Sequence, residues 1–425
     1  MIKSVPSVDI VILSNGPGEV TTWVRPVVRY LRQQLGNDVS QVRISVVLSP
    51  CPHSTGKEAA IALGYTEVDR VLAAEDFSSF LFWGKTKDSW DWRKRGIVIF
   101  LGGDQFYTLA IGKRLGYSTL IYAEWDARWY RWIDRFAAMN QSVLNKVPSR
   151  YHHKFSVVGD LMADITLEVN CDRFSLAESA SDTPLIGLLV GSKPAKLSQG
   201  VPLCLAIAEK IQQQKPQAKF MIPVAPTLDL ATLSKYANPE QNPLSSRWGN
   251  VSGEIITPKA AKETPCLVTS GGTIIQLVTQ FPAYETLIKC QLCLTTVGAN
   301  TAELASLAIP MIVLLPTQQL DAMRSWDGLP GILANLPGVG TLFAQLINWS
   351  IIKQGRLFAW PNIWAKCEIV PELIGKLDAD TVADLVLDYL AHAEKLQLMS
   401  DRLIEVRGKA GAGKEIADMV RQELY

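Results

Sequence analysis

The chain has 425 residues, of which 48% are apolar and 20% charged, and its formal net charge is +1. Such a composition suits a core-forming protein of about two domains and is unlike that of a disordered chain. It also lacks the global basic field that duplex nucleic acid attracts, so no nucleic-acid partner is expected.

Seven Cys (51, 171, 204, 266, 290, 293, 367) are scattered among mostly apolar neighbours. They read as free thiols in a reducing compartment rather than a disulfide framework. The start, MIKSVPSVDIVILSNG, enters a strand without an apolar leader segment, and no apolar run is long enough to span a bilayer. The expectation is a cytoplasmic protein.

In chain order, Val8 to Leu13 is a β-rich run of the kind buried on both faces. The loop Ser14-Asn15-Gly16-Pro17-Gly18-Glu19 follows, then a helix from about Thr21 to Gln34. Strands are expected at 42–48, 68–73 and 97–101, the last ending in Gly102-Gly103-Asp104. A helix over 106–115 and a strand over 118–123 complete a βαβ series, which implies a parallel sheet. The pattern pauses at EVNCDRFSLAESASDT and restarts at Leu185 to Val190, with the turn Gly191-Ser192-Lys193-Pro194. A helix (199–213) and a strand (219–224) come next, and the tail from about Ala379 is helical. This divides the chain into residues 1–167, a linker at 168–183, a second α/β domain at 184–372, and C-terminal helices at 373–425.

The stretch from Leu294 to Pro316, LTTVGANTAELASLAIPMIVLLP, has the richest local signal. It reads as strand, Gly turn, short helix and strand. Free N–H groups at a helix N-terminus make a site for phosphate. Gly298, Asn300 and Thr301 would form that turn, and Glu303 one turn further in could take ribose hydroxyls. A nucleotide-sugar fits this stretch. Gly16, Gly18, Gly102, Gly103, Gly191, Gly271, Gly272 and Gly298 all sit at expected strand ends, where open α/β sheets bind ligands. Any one of them is also what a tight turn requires.

Several segments resemble the lipid-A-disaccharide synthase family. In that family a strand runs into a Gly-Ser-Arg turn and a later strand ends in Pro-Val-Ala-Pro. Here Gly191-Ser192-Lys193 and Pro223-Val224-Ala225-Pro226 stand at those places. The Leu294–Pro316 stretch looks like the family's Ser-Gly-Thr…Leu-Glu helix, and WPNIWAKCEIVPELIG from Trp360 is similar to its Pro-Asn…Pro-Glu segment. VVGDLMADI from Val157 looks like its Gly-His-Pro-Leu-Ala-Asp. The resemblance implies the α/β fold called GT-B, with two Rossmann-like domains whose parallel sheets face a central cleft. It also implies a UDP-sugar donor, a lipid-linked or amphipathic acceptor and peripheral membrane contact. Departures gather in the first domain. Asn15-Gly16-Pro17-Gly18-Glu19 replaces Gly-Glu-Ala-Ser-Gly-Asp, Asp160 stands at the family's His, and Lys193 replaces an Arg. Donor class is therefore better indicated than acceptor.

Inverting transfer needs charge stabilisation for the leaving diphosphate, a grip on the sugar and a base for the acceptor hydroxyl. GT-B enzymes generally do this without a required metal or other cofactor; the UDP-sugar is a co-substrate. Ser192 and Lys193 are the turn candidates for the diphosphate, although Lys lacks Arg's bidentate fork. Gln318 and Gln319, past the strand end at Pro316, could hold sugar hydroxyls. Asp104 is the favoured base, with Glu19, Glu124 and Asp126 in reserve; Asp104 is also placed to cap the next helix. Gly16 and Gly18 would form the acceptor loop.

Four His (53, 152, 153, 392) show no base or zinc pattern, and the Cys290/Cys293 pair lies in an apolar strand approach. Residues 408–414 fit GxxxxGK, but a helical pattern precedes them and Glu415 follows, so they read as a helix–turn–helix rather than a P-loop. Six of the twelve Trp lie between 83 and 132, mixed with Lys and Arg. The runs Phe80–Arg95 and Trp125–Arg135 suit a membrane–water interface or the packing of a domain edge. The apolar segment from Leu329 to Trp349 suits lipid or a dimer contact, so oligomeric state stays open. Two other readings stand beside glycosyl transfer: a UDP-sugar epimerase of the same fold, and a binding protein that kept the fold without turnover.

Overall fold

The computed structural model describes residues 7–51, 54–168, 183–257, 264–316 and 356–425. Expectations for the linker (168–183), for Gln318 and Gln319, for His53 and for the Leu329–Trp349 segment fall wholly or largely outside these residues. The chain forms two compact units: residues 1–170 with 408–425, and residues 171–407. Both are α/β, as their alternating patterns require.

The first unit has a seven-stranded sheet: β1 (Val8–Ser14), β2 (Val42–Leu48), β3 (Arg70–Leu72), β4 (Gly96–Phe100), β5 (Ser118–Ala123), β6 (Arg135–Ala138) and β7 (Phe155–Val157). The order is β3-β2-β1-β4-β5-β6-β7, and every pairing is parallel. Central β1 is buried at every position, which explains its unbroken apolar run. Its one charge, Asp9, is fully buried and accepts from Arg43 Nε at 2.8 Å, the Arg93 amide at 2.8 Å and the Tyr117 hydroxyl at 2.8 Å.

The first helix differs from the expected 21–34 segment. Pro17–Glu19 is one helical turn, Val20–Val24 is a π turn, and Arg25–Leu35 is α-helix. The cause is local. Thr21 and Thr22 hydroxyls bond back to the Pro17 and Gly18 carbonyls, and Pro26 has no N–H for the ladder.

The second unit has eight strands: β8 (Leu185–Leu189), β9 (Lys219–Pro223), β10 (Gly253–Ile256), β11 (Cys266–Thr269), β12 (Ile274–Val278), β13 (Leu292–Thr296), β14 (Met311–Pro316) and β15 (Glu372–Gly375). Their order is β10-β11-β12-β9-β8-β13-β14-β15. The run from β12 to β15 is parallel, while β10 and β11 add an antiparallel edge. The sheet is thus mixed, where wholly parallel sheets were expected.

The helical tail also divides. Helix Ala379–Ala391 buries Ala379, Val382, Ala383 and Val386 in the second unit's core. The last helix, Ala412–Leu424, belongs to the first unit, where Ile416, Val420 and Leu424 join its core at four-residue spacing. Asp164 holds this helix by its N-terminus, accepting from the Gly411, Ala412 and Gly413 amides at 2.5, 3.1 and 2.7 Å. The GxxxxGK segment therefore gives its backbone donors to a carboxylate of its own chain, in line with the helix–turn–helix reading.

Candidate functional site

In an open parallel sheet the crevice for ligands lies beyond the carboxyl ends of the strands where the order reverses. In the second unit that point is between β8 and β13. The turn after β8 is Gly191-Ser192-Lys193, and the turn after β13 is Val297-Gly298. Gly191 has φ +85, and a Cβ there would stand 3.1 Å from Lys196 Cβ and 3.2 Å from Thr296 Oγ1. Gly298 has φ +143, and a Cβ there would stand 2.7 Å from Lys196 Nζ. The positive φ at both turns favours Gly, and at Gly298 the nearest atom is the end of the Lys196 side chain.

Lys193 is the N-cap of helix Pro194–Gln214, and Lys196 lies in its first turn. Lys196 Nζ donates to the Val297 carbonyl at 2.5 Å, tying the two turns together. Burial, then the Lys193 charge, pushes its amine down to about 8. Cations at a helix N-terminus oppose the helix dipole, a cost an anion between them would reverse. Thr296 Oγ1 is buried beside them without a hydrogen-bond partner among the described residues. Lys196 was not singled out from the sequence. Its signal was a second Lys in a helix first turn, where the dipole disfavours positive charge.

Ser192 and Asn300 are half-buried at the same turns. Thr301 is fully buried; its hydroxyl donates to the Gly298 carbonyl at 2.8 Å and accepts from the Trp360 amide at 3.2 Å. It shapes the turn rather than facing solvent. Glu303, on helix Ala299–Ser306, is half-buried, and burial pushes its carboxyl up to about 7. No hydrogen bond to its side chain occurs among the described residues. The Trp360 segment is a brace. Buried Asn362 uses both amide atoms on Ile369, Val370 and Glu372, and Glu372 also takes the Phe358 and Ala359 amides.

In the first unit the order reverses between β1 and β4. Gly16 is buried against Glu19, and a Cβ on it would lie 2.5 Å from Glu19 Oε2. A Cβ on Gly102 would lie 2.9 Å from Asn15 Oδ1 and 3.2 Å from Glu19 Cγ; one on Gly103 would lie 2.6 Å from Ser49 Oγ. Asn15 Oδ1 is buried and unpartnered among the described residues. Gly18 supplies the carbonyl that caps Thr22.

Three carboxylates meet at these strand ends. Glu124 follows β5 and is half-buried; burial, then Asp160 and Glu19, push its carboxyl up to about 7, while a hydrogen bond with Trp125 works the other way. Asp160 follows β7, is buried, and is pushed up to about 6 chiefly by burial; it accepts from the Met162 amide at 2.9 Å. Asp104 is different. It caps helix Gln105–Leu115, accepting from the Phe106 amide at 2.8 Å, and lies 4.0 Å from Arg128 with both side chains about half exposed. Asp126 is exposed and lies 3.4 Å from Arg128 Nε. Of these carboxyls Glu124 is the one that burial and neighbouring charge raise to about 7, while Asp104 caps a helix and stands half exposed. Among the described residues no group of His, Cys, Asp and Glu could hold a metal ion.

The aromatic run at 80–95 divides: Phe80 is buried and Arg70 lies over the half-buried Trp90 and Trp92 at 4.2 and 4.7 Å, while Phe82 and Trp83 are exposed. Cys290 and Cys293 are buried and free, with the thiol of Cys293 pushed well up by burial, which suits a packing role.

The chain is similar to lipid-A-disaccharide synthases. It is 21% identical over 231 residues to that of Nitrosococcus oceani, covering 54% of this chain and 45% of the relative. It is 23% identical over 244 residues to that of Geobacter sulfurreducens, covering 56% and 49%. The chain thus spans about half the length of the curated relatives it matches. No protein-family model matches. Among solved structures, UDP-GlcNAc 2-epimerase from Neisseria meningitidis, bound to UDP-GlcNAc, aligns over 98% of this chain and 100% of its own at TM-score 0.49 and 13% identity. No helix among the described residues is long and apolar enough to cross a membrane.

Proposed function

We propose that this protein is an inverting glycosyltransferase of the GT-B type, moving a sugar from a UDP-sugar to a lipid-linked or amphipathic acceptor at a membrane surface. The observation that carries this reading is the pair Lys193 and Lys196 at a helix N-terminus, beside the Gly298 turn that opens the helix of the half-buried Glu303. Two cations at one strand-end turn suit a diphosphate. A carboxyl without a hydrogen-bond partner among the described residues suits sugar or ribose hydroxyls, whose bonds would favour its ionised form. The distant similarity to lipid-A-disaccharide synthases supports the same donor class.

Each group has a role in this reading. Charge on the leaving diphosphate grows as the sugar departs, and the Lys193 and Lys196 ammonium groups stabilise it. The acceptor hydroxyl must lose its proton as it attacks. Glu124, with a carboxyl near 7, is matched to that task at neutral pH. Asp160 and Glu19 raise its basicity by repulsion. Attack from the face opposite the leaving group inverts the anomeric carbon.

Isothermal calorimetry with UDP tests the donor half. Micromolar to sub-millimolar binding is expected, and no heat at millimolar UDP would sink the reading. Incubation with labelled UDP-sugars and extracted lipids tests transfer. An epimerised sugar formed without acceptor would point instead to an epimerase.

A further inference from the structure

We propose that the exposed aromatic loop at residues 125–132 docks this protein on an anionic lipid bilayer and sets Glu124 at headgroup level. The inference deepens the proposed function by naming the surface that meets the lipid, and it rests on that reading only for the acceptor. Trp125, Trp129, Trp132 and Phe106 are 48%, 36%, 49% and 44% exposed. Phe106, Trp129 and Trp132 form one patch: the ring centroids of Phe106 and Trp129 are 5.5 Å apart, and those of Trp129 and Trp132 are 5.9 Å apart. Large apolar side chains left together in water mark an interaction site.

The patch is held in shape from beneath. Buried Gln105 donates to the Asp126 carbonyl at 3.0 Å and accepts from the Arg128 amide at 2.8 Å. Lys154 Nζ donates to the Tyr130 and Ile133 carbonyls at 3.1 and 2.7 Å, and Lys146 Nζ to the Trp125 carbonyl at 3.0 Å. Trp129 has φ +62, the left-handed region a bulky side chain rarely takes. A loop braced this firmly around exposed rings resembles a built contact surface, not a slack connection.

Charge selects the occupant. Arg128, Arg131, Lys146 and Arg150 are exposed; Arg131 lies 5.9 Å from the Trp132 ring and Lys146 bonds the Trp125 carbonyl, while Arg150 lies over Tyr151 at 5.0 Å. Asp104 and Asp126 both lie against Arg128, and Asp134 accepts from Thr119. Arg131, Lys146 and Arg150 have no carboxylate within ion-pair distance among the described residues. Indole rings with cations at their rim fit the headgroup layer of an anionic bilayer. A single-stranded nucleic acid would need ring faces that successive bases can lie on. These rings are tilted 54° and 46° to one another and offer no such stack. The loop begins directly after Glu124, so docking brings a membrane-held acceptor to that carboxyl.

Co-sedimentation of the full chain with phosphatidylcholine vesicles, with and without phosphatidylglycerol, tests this. Binding to the phosphatidylglycerol vesicles is expected, weakening with salt. The Trp129→Asn/Trp132→Ser variant, Asn being chosen for the left-handed backbone, should lower the partition coefficient by roughly tenfold or more. Arg131→Gln/Arg150→Gln should lower it less and flatten the salt dependence. Phe82→Ser/Trp83→Ser removes the other exposed pair, 66% and 75% exposed, and should leave binding unchanged. Equal binding by the Trp variant, loss of binding in the Phe82/Trp83 variant, no vesicle binding by the parent, or capture of single-stranded oligonucleotide at the loop would each overturn the proposal. Unchanged circular dichroism and melting temperature confirm that the variants are folded. UDP calorimetry separates the two readings: a parent that binds UDP but not vesicles refutes docking alone, and one that binds vesicles but not UDP refutes the donor reading alone.

Discussion

Replacing Lys196 with Met removes the amine that bridges the two strand-end turns and keeps a side chain of similar length. Burial and the neighbouring Lys193 hold this amine near 8, so at pH 7 about nine in ten molecules carry the charge. A hydrogen bond to a charged partner contributes about 1.5–3 kcal/mol. At about 1.4 kcal/mol per factor of ten, UDP should bind Lys196→Met roughly ten- to hundredfold more weakly. The pH dependence is the sharper readout. Above pH 7 the terminal phosphate of UDP is already ionised. The affinity of the parent protein should therefore fall by about fivefold between pH 8 and 9 as the amine loses its proton, and the variant should show no such slope. Calorimetry across pH 7 to 9 measures both. The unliganded variant should unfold no more easily than the parent at pH 7, because an amine whose folded pKa is depressed costs stability wherever it is charged. A variant with the same affinity and the same slope would refute the assignment of Lys196 to the diphosphate.

Glu124→Gln should cut sugar transfer by about a hundred- to ten-thousandfold and remove the rise in rate near pH 7, whereas Asp104→Asn should keep that rise and lose about 1 kcal/mol of stability at most; rate–pH profiles of both variants with a labelled UDP-sugar decide between the two carboxylates. The raised carboxyls of Glu124 and Asp160 also predict a stability trend. Each favours folding fully below its unfolded pKa near 4, and that contribution disappears as pH rises through about 6 to 7. Glu124→Gln should therefore raise the melting temperature more at pH 8 than at pH 5, and an equal shift at both would contradict the burial argument. Asp9→Asn leaves Arg43 short of a charged partner inside the first sheet and should destabilise by about 3 kcal/mol, read as a lower urea midpoint.

What the sequence made legible follows from how far each signal reaches. Buried parallel strands are continuous apolar runs, so β1, β4, β5, β8, β13 and β14 were all visible as segments. The antiparallel edge was not. Strand β10 alternates between partly buried and exposed positions and β11 between partly buried and buried ones, each over four residues, too short a span for period to outweigh a loop reading. The last helix was visible as a helix, but its membership in the first unit was not. Its apolar face fits any core, and only the carboxylate of Asp164, far away in sequence, binds its N-terminus.

The same distinction explains the two candidate bases. Asp104 has the conspicuous local setting, after Gly-Gly at a strand end, yet that setting is also what a helix N-cap requires, and the Phe106 amide takes it. Glu124 has an unremarkable local setting, between a strand and an aromatic loop. Its basicity arises from burial and from Asp160 and Glu19, which arrive on other strands. Local sequence can show that a carboxylate stands at a strand end, and many do. Whether it is poised to take a proton depends on which charges the sheet order brings beside it, and the order β1-β4-β5-β6-β7 brings these three to one edge. If that reasoning holds, neutralising Asp160 should lower the Glu124 pKa without touching the substrate. Asp160→Asn should then move the rising limb of the rate profile to lower pH while keeping most of the maximal rate. An unmoved limb would mean that burial alone sets the Glu124 carboxyl.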